Sequence, residues 1–348
     1  MGFRKHLHHH HTNGRSNLKS GIVFGILGIL LLIIVIILLN NYLTDLHTPK
    51  CDDGTYYSNC SNNKPYYCND GNLVEQPILC GCANEYILQD STCVSIYNLD
   101  PKTINLDYIL RGNKGNIEYT VYGGLNNYLA GLDRTFWYDE GSSPPTNEYM
   151  ELEFITESHQ SNFILPLVYK IQQLTDNTDD QARIAISIVQ SMPYDLDSLN
   201  NNKDNRYAYE TLYDQTGVCA DKSYLLAVFL KELGYGVVLF NYSTENHEAI
   251  GIKCPMEYSY LDSGYCFVET TNPTIVTDSE EEYIGVGKLT TNPEIYKVSA
   301  GKSFDSVTEE YNDYQTYKKL LSKGNTLSEA DYATWKHIVD KYGFKFND

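Results

Sequence analysis

One cysteine of this chain stands apart from the other eight. Cys219 opens an apolar pattern in "TGVCADKSYLLAVFLKELGYG" (216–236), where Leu225, Leu226, Phe229, Leu230 and Leu233 recur with a helical period and Gly234 offers a stop. A thiol in the first turn of a helix lies among unpaired backbone N–H groups at the positive end of the helix dipole. That setting favours thiolate over thiol, and thiolate is the nucleophile. The competing reading is a small buried apolar residue, so the surroundings must decide. "VVLFNYS" reads as a strand, "HEAIGIKC" as a second strand headed by His247, and "GYCFVETT" as a third that carries Glu269. Alternation puts His247, Ala249 and Gly251 on one face and Ile250, Ile252 and Cys254 on the other. If the strands pair antiparallel, one consistent parity sends His247 and Glu269 to one face and Cys254 and Cys266 to the opposite one. A carboxylate would then orient an imidazole that activates the thiol. The small Ala249 and Gly251 beside His247 are expected to leave room for a helix end to approach.

Cysteine usage isolates the same thiol. Cys51, Cys60, Cys68, Cys80, Cys82 and Cys93 crowd a segment rich in Gly, Asn, Asp and Tyr and poor in apolar runs. Such a segment closes no core of its own, so three disulfides are expected, with connectivity left open. A zinc site is the alternative, but no histidine and no pair of CxxC knuckles is present there. Cys254 and Cys266 are a plausible fourth pair around "PMEYSYLDSGY", which leaves Cys219 as the odd thiol.

Those elements must be set in a compartment. "GIVFGILGILLLIIVIILL" (21–39) is uncharged and long enough to span most of a bilayer core. Arg4, Lys5, Arg15 and Lys19 precede it without an acid, and all 45 acidic residues follow it. A retained anchor is expected over a removable signal peptide, whose apolar region is shorter and ends at a small-residue cleavage site. The positive-inside rule then puts the tail in the cytoplasm and the remainder outside, where disulfides persist. "HLHHHH" (His6–His11) reads as a solvated stretch of that tail. A formal net charge of −19 argues against a nucleic-acid partner, which needs a basic footprint.

Along the chain we expect a basic tail (1–19), an anchor (20–40), a disulfide-rich segment (50–95), a β-rich segment and linker (100–145), a catalytic domain (150–302) and a C-terminal helical segment (303–348). "RGNKG", with Gly112 and Gly115, reads as the turn of a hairpin within about 104–125. "FILPLVYKIQQLT" and "DDQARIAISIVQSM" have the spacing of buried amphipathic helices, with Asp179 and Asp180 at a helix start. "YDLDSLNNNKDNRY" is taken as a polar loop, because it lacks the glycine and glutamate of a calcium loop. Near the end, Ser328 and Asp331 make a box-like N-cap, an apolar stripe runs from Tyr332 to Tyr342, and Gly343 can stop the helix. No internal repeat is evident.

The stretch "YETLYDQTGVCADKSYLLAVFLKELGYGVVLFNYSTENHEAIGIKC … GYCFVETTNPT" resembles the core of the transglutaminase-like superfamily. The match covers roughly Asn162 to Lys302, most specifically Glu210 to Pro273. It lies in a glycine two before the cysteine, an acid two after it, a helix ending in leucine–glycine, a strand-borne histidine, and an acid followed by threonine in the next strand. The layout is similar to membrane-anchored archaeal members. The resemblance implies an α+β, papain-like cysteine-protease fold and acyl transfer through a thioester, with Cys219 as nucleophile and His247 as base. Glu269 stands where the family usually has aspartate, one methylene longer. The backbone N–H of Cys219 is the expected first oxyanion donor, and Gln215 and Tyr194 are candidates for the second. Asp221 matches the family's acid and reads as a structural or helix-terminus residue. No cofactor or metal is called for. The expectation is a peptidase or amidase acting on a cell-surface peptide or protein. A cross-linking transglutaminase and a non-catalytic envelope module are the alternatives.

Overall fold

The computed structural model describes residues 16–47, 49–201, 203–280, 283, 287–324 and 326–344, with side chains in the first helix from 24 to 43. The basic tail up to residue 15, with His6–His11, lies outside the described residues. The chain is a mixed α/β structure in two units that divide between Val94 and Ser95.

In the first unit α1 (Ser16–His47) contains a 20-residue stretch, Phe24–Leu43, long and apolar enough to be a membrane span or a signal sequence. The helix outlasts the apolar run, since "NNYLTDLH" continues it instead of breaking it. Two hairpins follow: β1 (Tyr66–Asn69) with β2 (Asn72–Glu75), then, after the short α2 (Pro77–Cys80), β3 (Tyr86–Gln89) with β4 (Thr92–Ser95). Both turn through two residues of positive φ, Asp70–Gly71 at 46° and 89° and Asp90–Ser91 at 45° and 74°. That is the hairpin turn whose twist matches its strands. One small design is thus used twice, a repetition that the four-residue strands were too short to announce in the sequence. Disulfides join Cys51 to Cys68, Cys60 to Cys80 and Cys82 to Cys93.

The second unit opens with β5 (Pro101–Leu110) and β6 (Asn113–Tyr122), paired antiparallel along their whole length. The turn is Arg111–Gly112 alone, at φ 52° and 81°. Gly115 is not part of it, contrary to expectation: it lies in β6 opposite Tyr108, where an added Cβ would fall 2.1 Å from the Tyr108 ring. The hairpin also stops earlier than expected, because Gly123 begins α3 (Gly123–Ala130).

Next come α4 (Asn147–Thr156), α5 (Ser158–Leu174), α6 (Thr178–Ser191), α7 (Leu196–Asn200) and α8 (Ala208–Asp214), then α9 (Cys219–Glu232). Asn177 caps α6, with Asp179 and Asp180 in its first turn. The Asp/Asn-rich stretch taken as a loop therefore contains a helix, because Asp195 caps α7 and pairs with Arg206. The apolar stripe read for α9 understates its burial. Every residue from Tyr224 to Leu230 is at most 1% exposed. A helix apolar all round must be enclosed, and α4, α5, α6 and α8 surround it opposite a sheet.

That sheet comprises β7 (Val237–Tyr242), β8 (His247–Lys253), β9 (Tyr265–Val268) and β10 (Glu294–Ser299), ordered β10-β7-β8-β9 and antiparallel throughout. Ile250 faces Val268 across the ladder and Ile252 faces Cys266. Val237, Leu239, Ile250, Ile252, Cys254, Cys266 and Val268 join the main core, and a disulfide links Cys254 to Cys266. On the other face Val238, Phe240, Tyr242, Ala249, Phe267 and Tyr283 form a second cluster. Gly251 serves that cluster and not an approaching helix: an added Cβ would meet Val238 Cγ2 at 2.5 Å and the Phe240 ring at 2.8 Å.

The chain closes with α10 (Thr308–Leu321) and α11 (Glu329–Tyr342). Ser328 and Asp331 form the reciprocal cap, and Gly343 ends α11 at φ 72°. Arg183 of α6 pairs with Glu310 of α10, and Lys341 of α11 with Glu309 and Asp313. Of the α11 stripe, Ile338 and Val339 are buried, whereas Tyr332 stays exposed and stacks on Trp335.

Candidate active site

Cys219 is the first residue of α9 and the free cysteine of the chain. Three backbone devices hold it there. Asp221 Oδ2 accepts the Val218 N–H at 3.1 Å, which caps the helix, and its Oδ1 accepts the Arg206 N–H at 2.8 Å. Gly217 permits the tight bend, since a Cβ there would come within 2.7 Å of Asp221 Cβ. Thr270 Oγ1 donates to the Cys219 carbonyl at 3.4 Å and lies 3.2 Å from Ser223 Oγ, which donates to the Glu248 carbonyl. A seam of hydroxyls therefore ties the first turn of α9 to β8 and to the end of β9. Asp221 is 1% exposed and wholly engaged in this framework.

His247 heads β8 as its first residue, and Glu269 follows β9 directly. The register puts Glu269 level with Ala249, so Glu269 and His247 share a face one diagonal step apart. His247 Nε2 lies 2.9 Å from Glu269 Oε2, both side chains fully enclosed. Glu269 Oε1 accepts the N–H groups of Thr270 at 3.0 Å and Thr271 at 2.8 Å. The carboxylate thus has one oxygen fixed by backbone and the other on the imidazole, and the extra methylene of glutamate is absorbed in that arrangement. This leaves Nδ1 buried without a hydrogen-bond partner among the described residues, while the Cys219 thiol lies 3.9 Å from the carbonyl of Asn246, the residue before His247. Tyr283 lies flat against the imidazole, ring centroids 5.4 Å apart and planes 7° from parallel.

Electrostatics follow from this enclosure. Burial works against charge on His247, but the Glu269 carboxylate and the Cys219 sulfur raise it to about 10. Burial works against Glu269 as well, yet His247 and the Thr271 N–H hold it below its ordinary value. At neutral pH the pair is imidazolium and carboxylate.

The two oxyanion candidates part company. Tyr194 forms a short parallel bridge with Gly217, two residues before Cys219 and its sulfur, and its buried hydroxyl has no hydrogen-bond partner among the described residues. Burial and that sulfur push its pKa upward, which keeps the O–H a donor. Gln215 is set aside: it sits at φ 55°, and its Nε2 donates to the Asn105 carbonyl at 2.7 Å, which commits its amide elsewhere.

Two supporting residues escaped the sequence reading. Lys222, fully buried, donates through Nζ to the carbonyls of Met192 at 2.8 Å and Thr271 at 3.0 Å. It thereby joins the strand end that carries Glu269 to the segment that carries Tyr194. Gln190 Nε2 donates to the Glu269 carbonyl at 2.8 Å. A lysine inside an apolar helix was the one visible signal, and Gln190 left none. Glu248, next to His247, points the other way, toward Asn241 and Tyr224, and burial raises its pKa well above the ordinary range.

No protein-family model matches this chain, and no curated protein does. Among solved structures, a chain described as a "Putative Cysteine Protease" from Cytophaga hutchinsonii matches at 14% identity and a TM-score of 0.27, over 46% of this chain and 59% of that one. This chain therefore spans less than two thirds of that protein, and a likeness at that score carries no argument.

Proposed function

We propose that this protein is a membrane-anchored, extracytoplasmic cysteine acyl-transfer enzyme with a transglutaminase-like fold, acting as a peptidase or amidase on cell-surface peptides or proteins. The observation that carries the proposal is Cys219 at a helix start beside the segment that carries His247, with Glu269 locked on the imidazole and His247 Nδ1 and the Tyr194 hydroxyl buried and unpaired among the described residues. The anchor is the apolar span of α1, and the oxidised cysteines support an outside location.

The thiolate of Cys219 attacks the carbonyl carbon of a peptide or amide bond, and the oxygen takes up the displaced electron pair. The Cys219 N–H and the Tyr194 hydroxyl donate to that oxyanion. The imidazolium delivers its Nδ1 proton to the departing nitrogen as the C–N bond breaks, leaving a thioester and a neutral imidazole. Water then adds to the thioester and gives its proton to the imidazole. Collapse of this second adduct expels Cys219 as thiolate and releases the carboxylic acid. Glu269 stays ionised throughout and holds the imidazole in place.

The test is alkylation of the full chain in detergent micelles at pH 6, with chloroacetamide followed by peptide mapping. Cys219 should be modified faster than a free cysteine, and His247→Ala should abolish the advantage in folded protein. Equal rates in wild type and His247→Ala would remove the basis of the enzyme reading.

A further inference from the structure

The β5–β6 ladder leaves one backbone edge of β5 facing α6, with Asn105 and Asp107 exposed. Ile109 donates its N–H to Ser187 Oγ at 2.8 Å and not to β6, which fixes the odd-numbered residues of β5 as those whose N–H and C=O point away from the partner strand. Asn105 agrees, because its carbonyl accepts from Gln215. Between these two capped positions, the outward N–H and C=O of Asp107 have no partner among the described residues.

This edge forms one wall of a groove of about 420 Å³, within the size range of ligand clefts. The last turn of α6 forms the opposite wall through Ile188, Ser191 and Met192, and Pro193 and Gln215 close the end. That end is made by the same two segments that present the site: Pro193 precedes Tyr194, and Gln215 lies four residues before Cys219. Thr216 Oγ1 donates to the Pro193 carbonyl at 3.0 Å and joins the two segments.

We infer that this groove holds an extended peptide segment of the substrate, which adds to β5 as a short third strand and exchanges two backbone hydrogen bonds with Asp107. The inference rests on the acyl-transfer reading and names its substrate class: a chain extended enough to lie along β5 as it enters the site. An unpaired strand edge beside apolar side chains is satisfied by another peptide backbone, which brings one donor and one acceptor at the required spacing and asks little of its side chains. Because Ser187 and Gln215 cap the flanking positions, the exchange involves a single guest residue. Gln215, set aside as an oxyanion donor, becomes the stop of this groove.

The experiment uses the full chain in micelles and trans-epoxysuccinate, bare or bearing a Val-Ala-Val-Ala peptide on one carboxyl of the (2S,3S) or of the (2R,3R) epoxide, with the rate of Cys219 modification as readout. One of the two peptide isomers should react faster than the bare reagent. Asp107→Pro removes the outward N–H and leaves the backbone bonds to β6, losing there only the side-chain bond from Asn116, and it should cut that gain by about three- to tenfold, the range for one hydrogen bond. N-methylation of a single guest residue should do the same to wild-type protein, while its two neighbours tolerate the methyl group. The ligand-side result stands even if Asp107→Pro does not fold. Modification of Cys219 with no gain from either peptide, or with a gain that no single N-methyl group reduces, overturns the groove alone. Failure of every reagent to modify Cys219 overturns the acyl-transfer reading and the groove with it.

Discussion

Between Cys51 and Cys93 the buried side chains are Cys51, Ser61, Cys68 and Cys80, whereas the unit from Ser95 onward builds its core from dozens of apolar residues around α9. The same residue type plays opposite parts in the two regions. In the small unit the cysteines are the core, and oxidation stands in for apolar area that four-residue strands cannot supply. In the large unit Cys219 stays reduced inside an enclosure that stands without it, so its sulfur is available for chemistry. A thiol keeps its chemical freedom among oxidised cysteines where the fold does not need the bridge.

The sharpest way to break this comparison is to remove one bridge from each kind of region. Cys51→Ala/Cys68→Ala opens a loop with a sequence separation of 17, and the loss should be about 2–5 kcal/mol, enough to unfold the small unit. Limited proteolysis should then cut between 51 and 93 while Ser95–Asp348 resists. A double variant as resistant as wild type would show that the cystines are not the core. Lys222→Met comes next: it strands two buried carbonyls, costs about 1–3 kcal/mol, and should slow alkylation of Cys219 by loosening the Tyr194 and Glu269 segments together.

A pH series sharpens the large unit's side of the contrast. His247 is raised in the folded state from 6.5 to about 10, so its stabilisation is fully present below pH 6.5 and is lost as pH rises through 10. Glu269 is lowered, so its share is present above 4.5 and is lost on acidification. The melting-temperature gap between wild type and His247→Gln should therefore be widest between these ordinary values and close toward pH 10. A gap that widens with alkali would contradict the ion pair. The smallest effect is expected from Cys219→Ala, about 1 kcal/mol as for an ordinary substitution, with alkylation lost altogether. A loss as large as that of the Cys51–Cys68 pair would make Cys219 a structural residue after all.

Period and chain-local chemistry determined much of this protein. The helical run after Cys219, the cap at Ser328 and Asp331, and the alternation within each strand that sets His247 with Ala249 and Glu269 with Phe267 all depend on residues within a few positions of each other, where 3.6- and 2-residue periods act. The segregation of eight cysteines from the ninth was also legible, because six crowd a segment too poor in apolar residues to close a core and two more flank a single loop. What only the tertiary structure decided involves partners distant in sequence. Glu269 meets His247 across 22 residues, Lys222 reaches Thr271 across 49, and Gln215 turns to Asn105 across 110. Gly251 makes room for Phe240 where adjacency to His247 suggested another use. No local period encodes such pairings; they follow from enclosing α9 on all sides, which brings polar groups of separate segments into one dry space where each must find a partner.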